Sequence, residues 1–227
     1  MKTSKRETAV CLVSGGMDSA TTLAIARQDY NVAAMHAYYG QLTQDREIKA
    51  FRDLVSYYDI KNSMTFSLSH LHQIGGSALT DPDIEVSIEG VRKDTVPSTY
   101  VPFRNAHLLS AAVSWAEVLK ATRVFIGVVE EDSSGYPDCR QSFIEQFEKA
   151  VDEGTLPTTK IKIVAPVLHM SKTEIVKKGH EIGVPYELTW SCYVNTEKAC
   201  GVCDSCRLRL AAFKNAGYED PIPYEER

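Results

Sequence analysis

The sequence predicts an α/β protein, an open and mostly parallel sheet with helices on both faces, followed by a small cysteine-rich tail. Three observations predict it. Short apolar runs alternate with amphipathic segments of helix length along most of the 227 residues, the pattern of strand–helix units. Val124 to Val129 is a nearly continuous apolar run, of the kind buried on both faces of a parallel sheet. The first apolar run ends in a turn of small residues that leads straight into a helical segment. Ligands of such a sheet sit at the carboxyl ends of its strands.

Ala9 to Val13 reads as the first strand and Ser19 to Arg27 as the helix after it, with Ser14-Gly15-Gly16-Met17-Asp18-Ser19 between them. Gly15 and Gly16 carry no Cβ, so the backbone can bend sharply and approach a ligand. The first amides of the helix lack intrahelical acceptors and sit at its positive end, which favours an anion. Ser14 and Ser19 add hydroxyls, and the best-matched ligand is a phosphate chain. The turn has no Gly-Lys-Ser/Thr and no G-x-G-x-x-G, which excludes two common phosphate motifs. What remains, S-G-G-x-D-S after a strand, resembles the loop of the ATP pyrophosphatases. That resemblance implies binding of ATP by Ser14, Gly15, Gly16, Met17, Asp18 and Ser19, attack on the α-phosphate and departure of pyrophosphate. Asp18 repels bare phosphate, so its expected role is to orient the loop or to act through Mg²⁺. An ordinary glycine turn is the plain alternative.

Asn31 to Tyr39 reads as the second strand and about Thr43 to Tyr58 as a helix, with Ile48, Phe51, Leu54, Val55 and Tyr58 at helical spacing. Met64 to Ser69 is the third strand. From Leu71 to Val101 the pattern is irregular and rich in turn residues, either a functional loop or a surface insertion. After Arg104-Asn105 an apolar stripe from Leu108 to Leu119 makes a helix, and Val124 to Val129 is the fourth strand. A turn-rich segment, Glu130 to Arg140, precedes a helix carrying Phe143, Ile144, Phe147 and Val151. Ile161 to Ala165 is the fifth strand. Ser171-Lys172-Thr173-Glu174 has capping-box spacing and opens a helix ending near Gly183-Val184-Pro185. The domain boundary is placed there: residues 1–185 for nucleotide binding and catalysis, residues 186–227 for the tail.

In the tail, Cys192, Cys200, Cys203 and Cys206 form C-x₇-C-G-x-C-x₂-C. Four thiolates within fifteen residues suit a closed tetrahedral shell, which favours a structural Zn²⁺. The rival is an iron–sulfur cluster, although a ferredoxin run carries its fourth cysteine downstream and before a proline. Cys11 reads as core filler. Cys139 stands next to Arg140, which lowers a thiol pKa if the two are close; no paired base is visible for a covalent role.

The chain is 44% hydrophobic and 24% charged, with a formal net charge of −5. That balance argues against a nucleic-acid partner. No apolar run approaches a membrane span, and the apolar stretch after the polar first eight residues is too short for a signal-peptide core. A cytoplasmic protein is expected, in which six cysteines point to metal or reactivity before disulfides.

The motifs together resemble the 7-cyano-7-deazaguanine synthase (QueC) family. The matching stretches are the Ser14–Ser19 turn, Tyr39-Gly40-Gln41, Ser77-Ala78-Leu79-Thr80, Thr99-Tyr100-Val101-Pro102-Phe103-Arg104-Asn105, Gly135-Tyr136-Pro137-Asp138-Cys139-Arg140, Ser171-Lys172-Thr173-Glu174, Thr189-Trp190-Ser191-Cys192-Tyr193 and the cysteine tail. The resemblance implies an adenine nucleotide alpha hydrolase-like fold, a homodimer, structural Zn²⁺, and Mg²⁺ with ATP as co-substrate. It implies a ligase that converts 7-carboxy-7-deazaguanine and ammonia to the nitrile through an acyl-adenylate and an amide. Asp18, Arg104 and Lys172 are the catalytic candidates, the two cations for charge around the α-phosphate. Tyr136, Asp138 and Arg140 are the substrate-binding candidates. Asp138 is expected to accept from N1–H and the 2-amino group of the base, or else to cap the following helix or pair with Arg140. Rival readings are a tRNA-thiolating or deazaguanine-attaching relative, or a non-catalytic nucleotide-binding module.

Overall fold

The computed structural model describes residues 6–81, 83–86, 96–130 and 135–226. Five strands, β1 (Thr8–Leu12), β2 (Asn31–Tyr38), β3 (Asn62–Ser67), β4 (Arg123–Phe125) and β5 (Lys162–Val164), form one sheet in the order β3-β2-β1-β4-β5. Every neighbouring pair is parallel. The central strand β1 shows why both faces are covered. Its side chains alternate, so Ala9 and Cys11 enter one core and Val10 and Leu12 the other. Cys11 is the core filler expected, its thiol pushed far above the usual range by burial.

Among the described residues seven helices follow: α1 (Met17–Asp29), α2 (Gln44–Tyr57), α3 (His70–Ile74), α4 (Arg104–Leu119), α5 (Gln141–Gly154), α6 (Lys172–Glu181) and α7 (Asp204–Ala216). One face carries α1, α2, α6 and α7 through Leu23, Phe51, Val176 and Phe213. The other carries α4 and α5 through Leu109, Ala112, Ile144 and Val151. β3 is the polar edge, with Asn62, Ser63 and Thr65 exposed, which suits a strand without an outer partner.

Three local outcomes differ from the pattern of the sequence. The fourth strand stops at Phe125, although residues Ile126, Val128 and Val129 stay buried. Gly127 passes so close to α1 that a Cβ there would lie 2.9 Å from Ser19 Cα. The irregular stretch 71–101 begins inside α3, and its two ends pack Leu71, Leu79 and Val101 with Tyr39 and Leu68. Its middle, residue 82 and residues 87–95, lies outside the described residues, as do residues 131–134 of the segment before α5. The tail contains a full helix, α7, whose Ala212 and Phe213 share a core with Val184 and Tyr186.

The α6 start forms as expected: Ser171 Oγ accepts the Glu174 amide, and the Glu174 carboxylate accepts the Ser171 amide at 2.8 Å. Further along α6, Gly179 faces Tyr186, whose hydroxyl donates to Ile175 O at 2.9 Å and lies 2.9 Å from Thr21 Oγ1. A Cβ at Gly179 would stand 1.9 Å from that hydroxyl. Gly179→Ala is therefore expected to lose about 2 kcal/mol of stability despite the better helix propensity of alanine. Urea denaturation checks this; an unchanged midpoint would contradict it.

Candidate active site

The turn after β1 is built by steric necessity. Gly15 has φ +92°, and a Cβ there would press to 3.0 Å against both Ala50 Cβ and Glu47 O of α2. Ser14 and Ser19 close the loop on itself: their hydroxyls are 3.0 Å apart, the Ser14 amide donates to Ser19 Oγ and the Gly16 amide to Ser14 Oγ. Ser19 Oγ also lies 3.0 Å from Gly16 O as its donor. Gly16 precedes α1 and supplies no side-chain cap, an arrangement that favours an anion at the helix start.

Asp18 sits in the first turn of α1, and Lys172, the first residue of α6, donates to its Oδ2 at 2.6 Å. Asp18 Oδ1 is buried and has no hydrogen-bond partner among the described residues. That oxygen is a fitting ligand for Mg²⁺, which takes one or two carboxylates together with substrate phosphates. Lys172 meanwhile holds the other oxygen.

The turn, Asp18 and Lys172 line a cavity of about 280 Å³ at the carboxyl ends of β1, β2 and β4. Arg104 and Tyr136 line it too. Phe103, in left-handed backbone at φ 57°, turns the chain into α4 directly before Arg104. A bulky residue held in that region is strained, and the Phe103 amide is retained by Tyr100 Oη at 2.9 Å. Arg104 Nη1 then donates to Tyr39 Oη at 2.6 Å. The Tyr136 hydroxyl lies 2.8 Å from Thr99 Oγ1.

Two of the expected substrate-binding residues lie off the cavity wall. Asp138 is buried and is not on the cavity wall; its Oδ2 accepts the Asn105 amide at 2.9 Å, so it caps α4 rather than the helix that follows it. Arg140 is exposed and also off the wall. Cys139 does line the cavity, but burial, reinforced by Asp138, pushes its thiol up to about 12. Arg140 therefore does not lower this thiol, and Asn105 Nδ2 donates to it at 3.3 Å.

Glu47 lines the cavity and was not singled out from the sequence. Thr43 Oγ1 donates to its Oε1 at 2.8 Å and Gln41 Nε2 to its Oε2 at 3.1 Å. Burial raises its pKa above the usual carboxylate range, against the lowering by those two bonds. The available signal was its place six residues after Gln41, on the first turn of a helix that follows a strand end.

The Sγ atoms of Cys192, Cys200, Cys203 and Cys206 all lie within 4.8 Å of one another. A tetrahedral Zn²⁺ with bonds of about 2.3 Å needs sulfurs about 3.8 Å apart, so the four residues fit that ion. The amides of Asn195 and Cys200 donate to Cys192 Sγ, and that of Cys203 to Cys200 Sγ, which favours thiolate ligands. The cluster is tied to the phosphate turn. Trp190, two residues before Cys192, donates its amide to Gly15 O at 2.8 Å. Arg209 of α7, fully buried, bonds Asp220 through Nε and Nη2 and Thr189 Oγ1 through Nη1.

The description "Queuosine biosynthesis protein QueC" matches residues 8–217. The 7-cyano-7-deazaguanine synthase of Chlorobium chlorochromatii is 53% identical over 220 residues, which is 96% of each chain. That of Chlorobium phaeobacteroides (strain DSM 266) is 54% identical over 96% of this chain and 97% of its own. Among solved structures, the U34-tRNA thiolase NcsA of Methanococcus maripaludis aligns at 14% identity with a TM-score of 0.46, over 80% of this chain and 59% of that one. So distant a likeness says nothing of activity. Half the residues shared with those synthases from end to end, on a fold that carries the phosphate turn and the four-cysteine cluster, leave one conclusion: the chain belongs to the QueC family of queuosine biosynthesis proteins.

Proposed function

We propose that this chain converts 7-carboxy-7-deazaguanine and ammonia to 7-cyano-7-deazaguanine at the expense of ATP, releasing AMP and pyrophosphate. The observation that carries the reading is the shared cavity: bare helix amides at a glycine turn face the same space as Lys172 and Arg104. The turn holds the β- and γ-phosphates, which leaves the α-phosphate beside the two cations. The carboxylate oxygen of the substrate attacks that phosphorus, pyrophosphate leaves, and the acyl-adenylate forms. Ammonia adds to the acyl carbon and expels AMP, giving the amide and a proton. The amide oxygen attacks the α-phosphorus of a second ATP and expels pyrophosphate, and loss of AMP and a proton from the adduct leaves the nitrile. Positioning and charge stabilisation are the protein's part. Asp18 would hold Mg²⁺, which neutralises phosphate charge when bound.

The four cysteines are read as a structural zinc site, with residues 186–227 serving as a tail that braces the phosphate turn of residues 1–185. A homodimer in the cytoplasm, without a nucleic-acid partner, belongs to the same reading; the net charge of −5 supports the last point. No helix among the described residues is long and apolar enough to cross a membrane.

The test is mass spectrometry of a reaction containing the protein, Mg²⁺, ATP, ammonium and 7-carboxy-7-deazaguanine. Nitrile, AMP and pyrophosphate are expected, with ATP cleavage dependent on the acid. ADP and orthophosphate as products would overturn the reading.

A further inference from the structure

We propose that Glu47 reads the pyrimidine edge of the deazaguanine, its carboxylate accepting from N1–H and the 2-amino group. This rests on the function proposed above and names the group that sets base specificity within it. Two parallel donors need two acceptors held side by side, and one carboxylate supplies them. Among the described residues two carboxylates line the cavity, Asp18 and Glu47. Asp18 lies at the phosphate turn with Lys172 on one oxygen. Asp138 is off the wall, with Oδ2 on the α4 amide and Oδ1 buried without a partner among the described residues, so it does not face the cavity with both oxygens.

Glu47 is built for the role. Its hydrogen-bond partners, Thr43 and Gln41, are neutral, and each takes one oxygen. A carboxylate has about four acceptor sites, so each oxygen keeps capacity for a ligand while the group is held in one orientation. Both partners come from the few residues between β2 and α2, so the anchor is local and stiff. Burial raises the pKa of the group, a cost that two further N–H donors offset. Arg104 on the same cavity supplies the opposite charge. A donor edge at one end of the substrate and a carboxylate at the other thus match the carboxylate and guanidinium of the site.

The experiment compares wild type and Glu47→Gln by calorimetric titration with 7-carboxy-7-deazaguanine, with the analogue lacking its 2-amino group, and with ATP. Wild type is expected to prefer the amino compound by about a hundredfold or more, because the analogue leaves a buried acceptor unpaired. Glu47→Gln, with one acceptor and one donor in its amide, should bind the acid about a hundredfold more weakly and lose most of that preference. Its ATP affinity should stay within about twofold. Retained preference in the variant, or equal losses for ATP and the acid, would overturn the assignment, the second outcome marking Glu47 as a support of the fold. If the variant does not fold, wild type alone decides: equal affinity for the two deazapurines overturns the proposal. Wild type that makes the nitrile yet ignores the 2-amino group sinks this inference alone. Wild type that binds ATP and neither deazapurine sinks the functional reading with it.

Discussion

Asp18→Asn is expected to slow turnover by about a hundredfold or more while the protein remains folded. The carboxylate has two separate duties. Oδ2 takes the Lys172 ammonium at 2.6 Å, linking the first turn of α1 to the first turn of α6. Oδ1 is buried without a partner among the described residues, an arrangement that costs stability unless a ligand fills it. An amide keeps the volume but removes the charge. It weakens the hold on Lys172 and presents a donor or a neutral acceptor where a cation is expected. Because the ion pair is only partly buried, its removal should cost little folding energy, and the loss should appear in pyrophosphate release at saturating ATP. Thermal melting alongside steady-state kinetics separates the two effects. Wild-type turnover in a folded variant would remove Asp18 from the catalytic machinery.

Cys203→Ser is expected to abolish metal binding, from about one Zn²⁺ per chain to none, and to lower the melting temperature by about 10 °C or more. The four sulfurs gather within 4.8 Å, a spacing that suits one tetrahedral cation. Losing that ion loosens more than the tail. Trp190 N–H pins the Gly15 carbonyl, and the buried Arg209 joins Thr189 and Asp220 across the same region. ATP affinity should therefore fall with the metal even below the melting transition. Elemental analysis and melting curves check the first part, ATP titration the second. Iron with labile sulfide in the wild-type protein would replace zinc with a cluster.

Glu47 and Asp138 owe their different surroundings to contacts that no local pattern encodes. Asp138 had the attributes of a ligand in the sequence: a loop after a strand, a neighbouring tyrosine and a proline to stiffen it. Those attributes equally suit a helix cap, and α4, thirty-three residues earlier in the chain, brings its Asn105 amide to one oxygen of that carboxylate. Glu47 lies on a helix whose solvent-facing positions are full of charge, and only its place six residues after Gln41 sets it apart from its neighbours. Likewise Cys139 next to Arg140 suggested an activated thiol, but the two side chains part company, one into the core and one into solvent.

The sequence by itself determined the strand–helix alternation, the Ser14–Ser19 turn, the capping box at Ser171 and the four-cysteine spacing, because each is written in a local run of the chain. Glycine at a sharp turn and thiols at ligand spacing carry their chemistry wherever the chain goes. Only the tertiary structure decided which distant side chains share the cavity: Lys172 on Asp18, Arg104 on Tyr39, Glu47 beside Gly15, and Asp138 withdrawn beneath α4. It also decided that the tail supplies a core helix and braces the phosphate turn through Trp190. Those contacts join residues dozens of positions apart, and the order of strands and the direction of each crossover set them, which no local period encodes.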